Sequence, residues 1–97
     1  MNQQSMEIKC VQLKIQGNVQ GVFFRKYTQI TARNFGIKGF VRNDPDGSVF
    51  VEACGTADAL KKFIDWCHDG PEGAKVDSVE LSGSELKNFS SFTVNYF

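Results

Sequence analysis

The chain has 97 residues, a formal net charge of zero, 41% hydrophobic residues and nine phenylalanines. This length and composition predict a single compact domain over residues 1–97 and exclude a disordered chain. No apolar run approaches the roughly 20 residues that span a membrane. The first residues are polar and lack the pattern of a secretory signal, so we expect residues 1–6 to form a flexible tail and the protein to be cytoplasmic.

Charge is unevenly distributed along the chain. Between Ile8 and Asn43 there are seven basic residues and no acidic one, whereas ten of the eleven acidic residues follow Asn43. Such an asymmetry favours an anionic ligand near the first half of the chain. The zero net charge, in contrast, is not typical of a protein that binds long nucleic acids.

The first two predicted elements are a strand and a helix. Apolar residues alternate with polar ones over residues 11–15, which predicts a half-buried strand that ends at Gly17. From about Val22 to Phe35 the apolar residues recur at helical spacing, and Gly36 follows where a left-handed residue would end the helix.

The rest of the chain predicts four strands and a second helix. The sequence Asp-Pro-Asp-Gly between the next two strands is typical of a hairpin turn. Thr56 is the predicted N-cap of the second helix, with Asp58 in its first turn. A loop is predicted over residues 69–75. The four predicted strands are residues 37–43, 48–54, 76–81 and 92–96.

The element order β-α-β-β-α-β, with an extra C-terminal strand, predicts an α+β sandwich of the ferredoxin-like type. Both helices should cover one face of a mostly antiparallel sheet. A strand, a crossover helix and the following strand run up, down and up, so the first two strands are parallel and end at the same edge. We therefore expect the loop of residues 17–23 to lie close to Asn43.

Residues 17–26, GNVQGVFFRK, place two glycines before the first helix and an arginine in its first turn. Backbone N–H groups in such a turn, together with the helix dipole, favour a bound phosphate. A positive charge in the first turn of a helix opposes the helix dipole, so Arg25 is unfavourable there unless another interaction requires it. The planar guanidinium of Arg25 can donate two hydrogen bonds to the oxygens of a phosphate. On this spacing alone, a tight turn with a solvated arginine remains the simpler interpretation.

Other residue types that could carry chemistry favour structural roles. Asp44 and Asp46 could form an acid and base pair, but they flank a proline in a turn, where aspartate is expected for local hydrogen bonding. The cysteines form no CxxC pair, so we expect small buried apolar residues. A disulfide framework, a zinc site and a phosphocysteine nucleophile are all disfavoured. The three cysteines are Cys10, Cys54 and Cys67.

A non-catalytic binding module is the alternative function. Ferredoxin-like sheets also bind RNA or sense small molecules, and Phe40, Phe50 and Phe92 are candidate stacking residues for RNA. The aromatic motif of RNA-recognition sheets does not occur in the sequence.

Three blocks of the sequence, in order, resemble the acylphosphatase family, small enzymes that hydrolyse carboxyl-phosphate anhydrides. The blocks are GNVQGVFFRKYT, GIKGFVRNDPDGSVFVEACG and GPEGAKVDSVEL. The resemblance extends from about Lys9 to Tyr96 and agrees with the ferredoxin-like topology. It implies an enzyme without a metal or cofactor, whose partners are a small acyl phosphate as substrate and inorganic phosphate as product and inhibitor. We expect a monomer that binds neither nucleic acid nor membranes.

The resemblance also implies roles for individual residues. Backbone amides of the loop would hold the phosphate, Arg25 would clamp it, and Asn43 would position the attacking water. Asn18 stands where relatives commonly carry arginine, a departure that bears on the positive field beside the loop but not on the loop itself. The implied phosphate-binding residues are Gly17, Asn18, Val19, Gln20, Gly21, Val22, Phe23 and Arg25.

Overall fold

A computed structural model describes residues 7–21 and 23–96. The predicted tail of residues 1–6 and one predicted phosphate-binding residue, Val22, therefore lie outside the described residues, as does Phe97. The elements are β1 (Ile8–Asn18), α1 (Phe24–Asn34), β2 (Lys38–Asn43), β3 (Val49–Thr56), α2 (Ala57–Asp69), β4 (Lys75–Ser84) and β5 (Phe92–Asn95). This order confirms the predicted β-α-β-β-α-β arrangement with an additional C-terminal strand.

The strands form one mixed sheet in the order β4-β1-β3-β2-β5. All neighbours are antiparallel except β2 and β5, which are parallel. Val49 of β3 pairs with Ile15 on one side and with Asn43 on the other. Because β3 lies between them, β1 and β2 run in the same direction, and their C-terminal ends are level at one edge of the sheet.

The helices cover one face of this sheet and form the core with it. Leu13 and Ile15 of β1 and Val51 of β3 are fully buried on that face, where Phe63 of α2 packs against Phe92 of β5 with ring centroids 6.0 Å apart. Burying an aliphatic or aromatic side chain of this size contributes about 1.5–3 kcal/mol. The predicted α+β sandwich is therefore confirmed.

Two helix ends follow the predicted capping chemistry. At the end of α1, the N–H of Ile37 donates to the carbonyl of Ala32 and the N–H of Gly36 donates to that of Arg33. These two bonds form a Schellman motif. At the start of α2, the Thr56 hydroxyl accepts from the N–H of Ala59 at 3.2 Å. In the described part of the chain the helices have 11 and 13 residues, and neither is long and apolar enough to cross a membrane.

The cysteine prediction is wrong for two of the three residues. Cys10 and Cys54 form a disulfide between β1 and β3, although 44 positions separate them in the sequence. The antiparallel register places them directly opposite each other, with Cα atoms 4.1 Å apart. Spacing along the chain does not reveal that register. Cys67 is a fully buried thiol of α2, as expected, and burial raises its pKa.

Candidate active site at the β1–α1 loop

Two glycines shape the loop between β1 and α1. Gly17, with a φ of 136°, lies where the register between β1 and β4 shifts, and a Cβ there would overlap the carbonyl of Lys75. Gly21 has a φ of 78°, in the left-handed region, and has open space around it. Gly17 is therefore required by the close approach of two strands, and Gly21 by the path of the loop.

The N-terminus of α1 has neither a capping side chain nor an acidic residue in its first turn. Phe23 occupies the N-cap with no side-chain hydrogen bond, and the first turn contains no acid but two cations, Arg25 and Lys26. By contrast, α2 has a Thr56 cap and an acid, Asp58, in its first turn. Because the first N–H groups of a helix have no internal acceptors and carry the positive end of the dipole, the start of α1 can accept a bound anion.

A cavity of about 600 Å³ opens at this edge of the sheet. The loop and the first turns of α1 form one side of it, and the ends of β2 and β5 form the other. No acidic side chain is among its described lining residues, so its fixed charges are Arg25 and Lys26. The lining residues are Val19, Gly21, Phe23, Phe24, Arg25, Lys26, Gln29, Asn43, Val94 and Tyr96.

Arg25 is half-buried and held by the C-terminal strand. Its Nη1 donates to the main-chain carbonyl of Asn95 at 3.1 Å, and its guanidinium carbon lies 4.7 Å from the ring centroid of Tyr96. Within residues 7–21 and 23–96 it forms no salt bridge. The guanidinium therefore keeps donors and its charge for an anion, while one hydrogen bond and a cation–π contact fix its position.

Asn43 lies at the end of β2 and lines the same cavity. Its Oδ1 is buried and has no hydrogen-bond partner among the described residues. An unsatisfied buried oxygen costs about 1–3 kcal/mol, which a bound donor such as water would offset. The structure thus brings Arg25 and Asn43 together, at the sheet edge where the topology predicts them.

The two aspartates of the β2–β3 turn, which follow Asn43, form hydrogen bonds and salt bridges within or beside the turn. Asp44 accepts from Nε of Arg42 at 2.8 Å, and Asp46 accepts from the N–H of Ser48 at 3.0 Å and pairs with Lys14 at 2.9 Å. Hydrogen bonds from Ser48 and Lys14 hold the pKa of Asp46 well below its usual range. These contacts favour the structural interpretation. In the described ranges no three acidic, histidine or cysteine side chains are grouped so as to hold a metal ion.

The side chain of Gln20 forms hydrogen bonds that connect the β1–α1 loop to the β2–β3 turn. Its Nε2 donates to the carbonyls of Asp44 at 2.9 Å and Ser48 at 2.8 Å. These bonds connect the loop to the segment that begins directly after Asn43.

The predicted phosphate-binding residues are only partly brought together. Val19, Gly21, Phe23 and Arg25 line the cavity. The others that the structure describes are Gly17 and Asn18, which pair with β4, and Gln20, which points to the turn.

Sequence reasoning missed several residues of the cavity. Gln29 follows Arg25 by four positions, so helical spacing could have indicated it. Lys26 is adjacent to Arg25 in the sequence, and helical spacing does not indicate it. Val94 and Tyr96 belong to the C-terminal segment, and no local signal indicates that this strand pairs with β2.

The aromatic residues considered for RNA binding do not share one surface. Phe92 is 1% exposed and packs in the core beneath the helices. Phe40 and Phe50 contact each other on the opposite face, with ring centroids 5.9 Å apart, and Phe89 packs at the same distance from Phe40. The prediction that these three phenylalanines form one stacking surface for RNA is therefore wrong.

Comparisons with known proteins agree on one family. The acylphosphatase family model matches residues 11–94. An acylphosphatase of Archaeoglobus fulgidus is 44% identical over 86 residues, which cover 89% of this chain and 97% of that relative. The structure of an acylphosphatase from Coxiella burnetii superposes with a TM-score of 0.90 at 32% identity, covering 98% of this chain and 100% of the other. An acylphosphatase from Bacillus subtilis gives 0.88 at 30% identity, covering 93% and 100%.

Proposed function

The chain belongs to the acylphosphatase family, and we propose that it hydrolyses the carboxyl-phosphate bond of small acyl phosphates to a carboxylate and inorganic phosphate. One observation supports this proposal most directly. A fixed arginine, an uncapped helix N-terminus and an asparagine whose buried oxygen has no partner among the described residues meet in one cavity.

The phosphate group binds at the start of α1. Main-chain N–H groups of the loop and of the first helical turn donate to its non-bridging oxygens, and Arg25 clamps it from the side of β5. The hydrogen bond to the Asn95 carbonyl supports a role for Arg25 as a donor that is held in position before the substrate arrives. Such preorganised donors stabilise the charge that develops on the equatorial oxygens in phosphoryl transfer.

Asn43 positions the attacking water. Its Oδ1 accepts one O–H of the water, which directs a lone pair of the water oxygen to phosphorus. The new P–O bond forms as the bond from phosphorus to the bridging oxygen breaks, and the electron pair leaves with the carboxylate. The water proton passes to a non-bridging phosphate oxygen, so no side chain has to act as a base.

The leaving group makes an acid unnecessary. A carboxylate has a conjugate acid with a pKa of about 4, so it departs unprotonated at neutral pH. The described cavity lining offers positive charge and an amide but no carboxyl acid, which suits this leaving group and not the alkoxide of a phosphate monoester. We therefore propose that the reaction requires no metal or cofactor.

Three further properties belong to the same proposal. Inorganic phosphate, the product, occupies the phosphate position and inhibits competitively, and the protein acts as a monomer of one domain. Its compartment is the cytoplasm. Because disulfides are rare in reducing compartments, a cytoplasmic location predicts that Cys10 and Cys54 are free thiols in cells, in contrast to the bond in the structure. Rapid alkylation of thiols in intact cells, followed by mass spectrometry, distinguishes the two states: alkylated thiols support the cytoplasm, and an intact bond argues against it.

A metal-free assay tests the proposed function. The purified protein, treated with EDTA, is supplied with acetyl phosphate, benzoyl phosphate or p-nitrophenyl phosphate, and carboxylate and phosphate release are followed. We expect rapid hydrolysis of both acyl phosphates, competitive inhibition by inorganic phosphate and poor turnover of the monoester. Loss of activity on chelation, with recovery on adding zinc or magnesium, would overturn the cofactor-free mechanism. Equal rates on all three substrates would indicate a general phosphatase.

A further inference from the structure

The Cys10–Cys54 disulfide lies on the face of the sheet that the helices do not cover. Each cysteine is three positions from a residue buried under the helices, Leu13 in β1 and Val51 in β3, so both sulfurs point to the other face. On that face Cys54 pairs with Cys10 on one side and with Lys38 of β2 on the other. Directly opposed residues of antiparallel strands have Cβ atoms about 4.5–5.5 Å apart, so the exposed Lys38 side chain starts beside the disulfide.

The two sulfurs differ in how a reagent can reach them. Both cysteines are 5% exposed, but a cavity of about 170 Å³ is lined by Cys54 and not by Cys10. The segment between β4 and β5 passes over Cys10, whose Sγ accepts a hydrogen bond from the main-chain N–H of Lys87 at 3.4 Å. An incoming group therefore approaches Cys54 from the cavity, while Cys10 is covered.

The charge around this cavity is positive. Lys38 and Lys87 line it, and no acidic residue is among its described lining residues. Lys87 is neutralised by Glu52, with Nζ and Oε2 2.7 Å apart. Lys38 forms no salt bridge within residues 7–21 and 23–96, so its charge remains to attract an anion to Cys54.

We propose that Cys54 is the reactive sulfur of a thiol-exchange site, at which a small thiol that carries carboxylates forms a reversible mixed disulfide. The site shares no described lining residue with the phosphate cavity, so it does not depend on the proposed function.

The exchange proceeds through attack by a thiolate. The thiolate sulfur attacks Sγ of Cys54, and a new S–S bond forms as the bond to Cys10 breaks. The electron pair stays on Sγ of Cys10, where the N–H of Lys87 stabilises the thiolate that leaves. A second thiolate then attacks the small thiol's own sulfur in the mixed disulfide. It releases the oxidised small thiol and leaves both cysteines reduced.

Peptide mapping of the unaltered protein tests which sulfur reacts. The oxidised protein is incubated with glutathione as the probe, quenched with iodoacetamide at intervals, digested and analysed by mass spectrometry. We expect a species with glutathione on Cys54 and the alkyl group on Cys10. Glutathione on Cys10, or on both cysteines alike as in an unfolded chain, would overturn the proposal.

A pair of single-cysteine variants traps the same species, because neither can re-form the internal disulfide. With oxidised glutathione, Cys10→Ser should form its mixed disulfide about fivefold or more faster than Cys54→Ser, since the remaining thiol faces the cavity and Lys38. Circular dichroism checks that both variants fold. Equal rates in the two folded variants would contradict the proposal, and if either fails to fold, the map of the unaltered protein decides.

The role of Lys38 is tested by the charge of the thiol. The rate constant for reduction by glutathione, divided by that for cysteamine, which carries an ammonium group, should fall about threefold to fivefold in Lys38→Gln at low ionic strength. Lys62→Gln is the matched control, because Lys62 is exposed on α2 and does not line this cavity. The same ratio in both variants and in the unaltered protein would show that the site does not select an anionic thiol.

Discussion

Arg25 and Asn95, 70 positions apart in the sequence, are joined by a hydrogen bond of 3.1 Å from the guanidinium to the main-chain carbonyl. Asn95 pairs with Arg42 in the parallel ladder between β2 and β5. The anchor of Arg25 is therefore one residue away from Asn43 across the sheet. The separation of the two proposed catalytic groups depends on paired strands and not only on the loop.

Arg25→Ala should abolish both turnover and phosphate binding. In the proposed mechanism the guanidinium contacts the phosphate in the ground state and in the transition state, so we expect kcat/KM to fall by on the order of 10³ or more and inhibition by phosphate to disappear. Arg33→Ala is the matched control, because Arg33 is on the same helix and donates to the carbonyl of Phe92 in β5, but does not line the cavity. Substrate and phosphate titrations, with circular dichroism to check folding, distinguish the two variants. Loss of activity in both would indicate that the contact of α1 with β5 matters and not the clamp.

Asn43→Ala should separate catalysis from binding. If its oxygen only orients water, kcat should fall by about 10², comparable to the loss of one positioned group, while the inhibition constant for phosphate changes little. The unfolding free energy should stay the same or rise, because the variant removes a buried oxygen without a partner among the described residues. Near-normal turnover by a folded Asn43→Ala protein would remove the water-positioning role.

Much of this architecture is predictable from local patterns. The alternation over residues 11–15 and the helical spacing around Thr28 reflect burial on one face, which the structure shows for Leu13, Ile15 and Thr28. Handedness and parallel direction then place the end of β1 and Asn43 at the same edge of the sheet, with β3 between them. These rules concern whole strands and helices. They predict where the site lies, but not which side chains contact each other there.

The missed features depend on register and on conformation. Cys10 faces Cys54 only because of the alignment of β1 with β3, and a shift of one residue would point them to opposite faces. Tyr96 reaches Arg25 because β5 pairs with β2. Phe23 adopts a positive φ that its residue type does not favour, so propensity indicated the wrong conformation there.

Gln20→Met should loosen the loop and preserve the shape of the side chain. It removes both hydrogen bonds to the carbonyls of Asp44 and Ser48. We expect a loss of about 1–2 kcal/mol in unfolding free energy, and an inhibition constant for phosphate that is raised about tenfold, because the loop amides lose their alignment. Gln16→Met is the control, since Gln16 lies in β1, the strand that leads into the loop, and accepts a hydrogen bond from Ser78 at an exposed position. An equal loss of stability in the two variants, with phosphate binding unchanged in both, would contradict a role for Gln20 in positioning the loop.

Glu52 should make the stability of the protein sensitive to acid. Its side chain is 3% exposed and contacts Nζ of Lys87 at 2.7 Å and Oγ of Ser84 at 2.9 Å. Burial alone would raise its pKa, but the hydrogen bonds from Lys87 and Ser84 outweigh burial and lower the pKa below the ordinary value of 4.5. A lowered pKa in the folded state means that the stabilisation is present above about pH 4.5 and is lost as the pH falls through the folded value.

Glu52→Gln tests this linkage. The variant should be less stable by about 1–3 kcal/mol at pH 7, because Lys87 and Ser84 lose a charged acceptor. The difference from the unaltered protein should shrink on acidification below about pH 4.5, where protonation removes the same charge from Glu52. Catalysis should be unaffected, since Glu52 does not line the phosphate cavity. Denaturant unfolding at pH 7 and pH 3 measures both differences. If the gap between the two proteins is the same at the two pH values, the carboxylate charge of Glu52 does not contribute to stability, and its contacts act through packing alone.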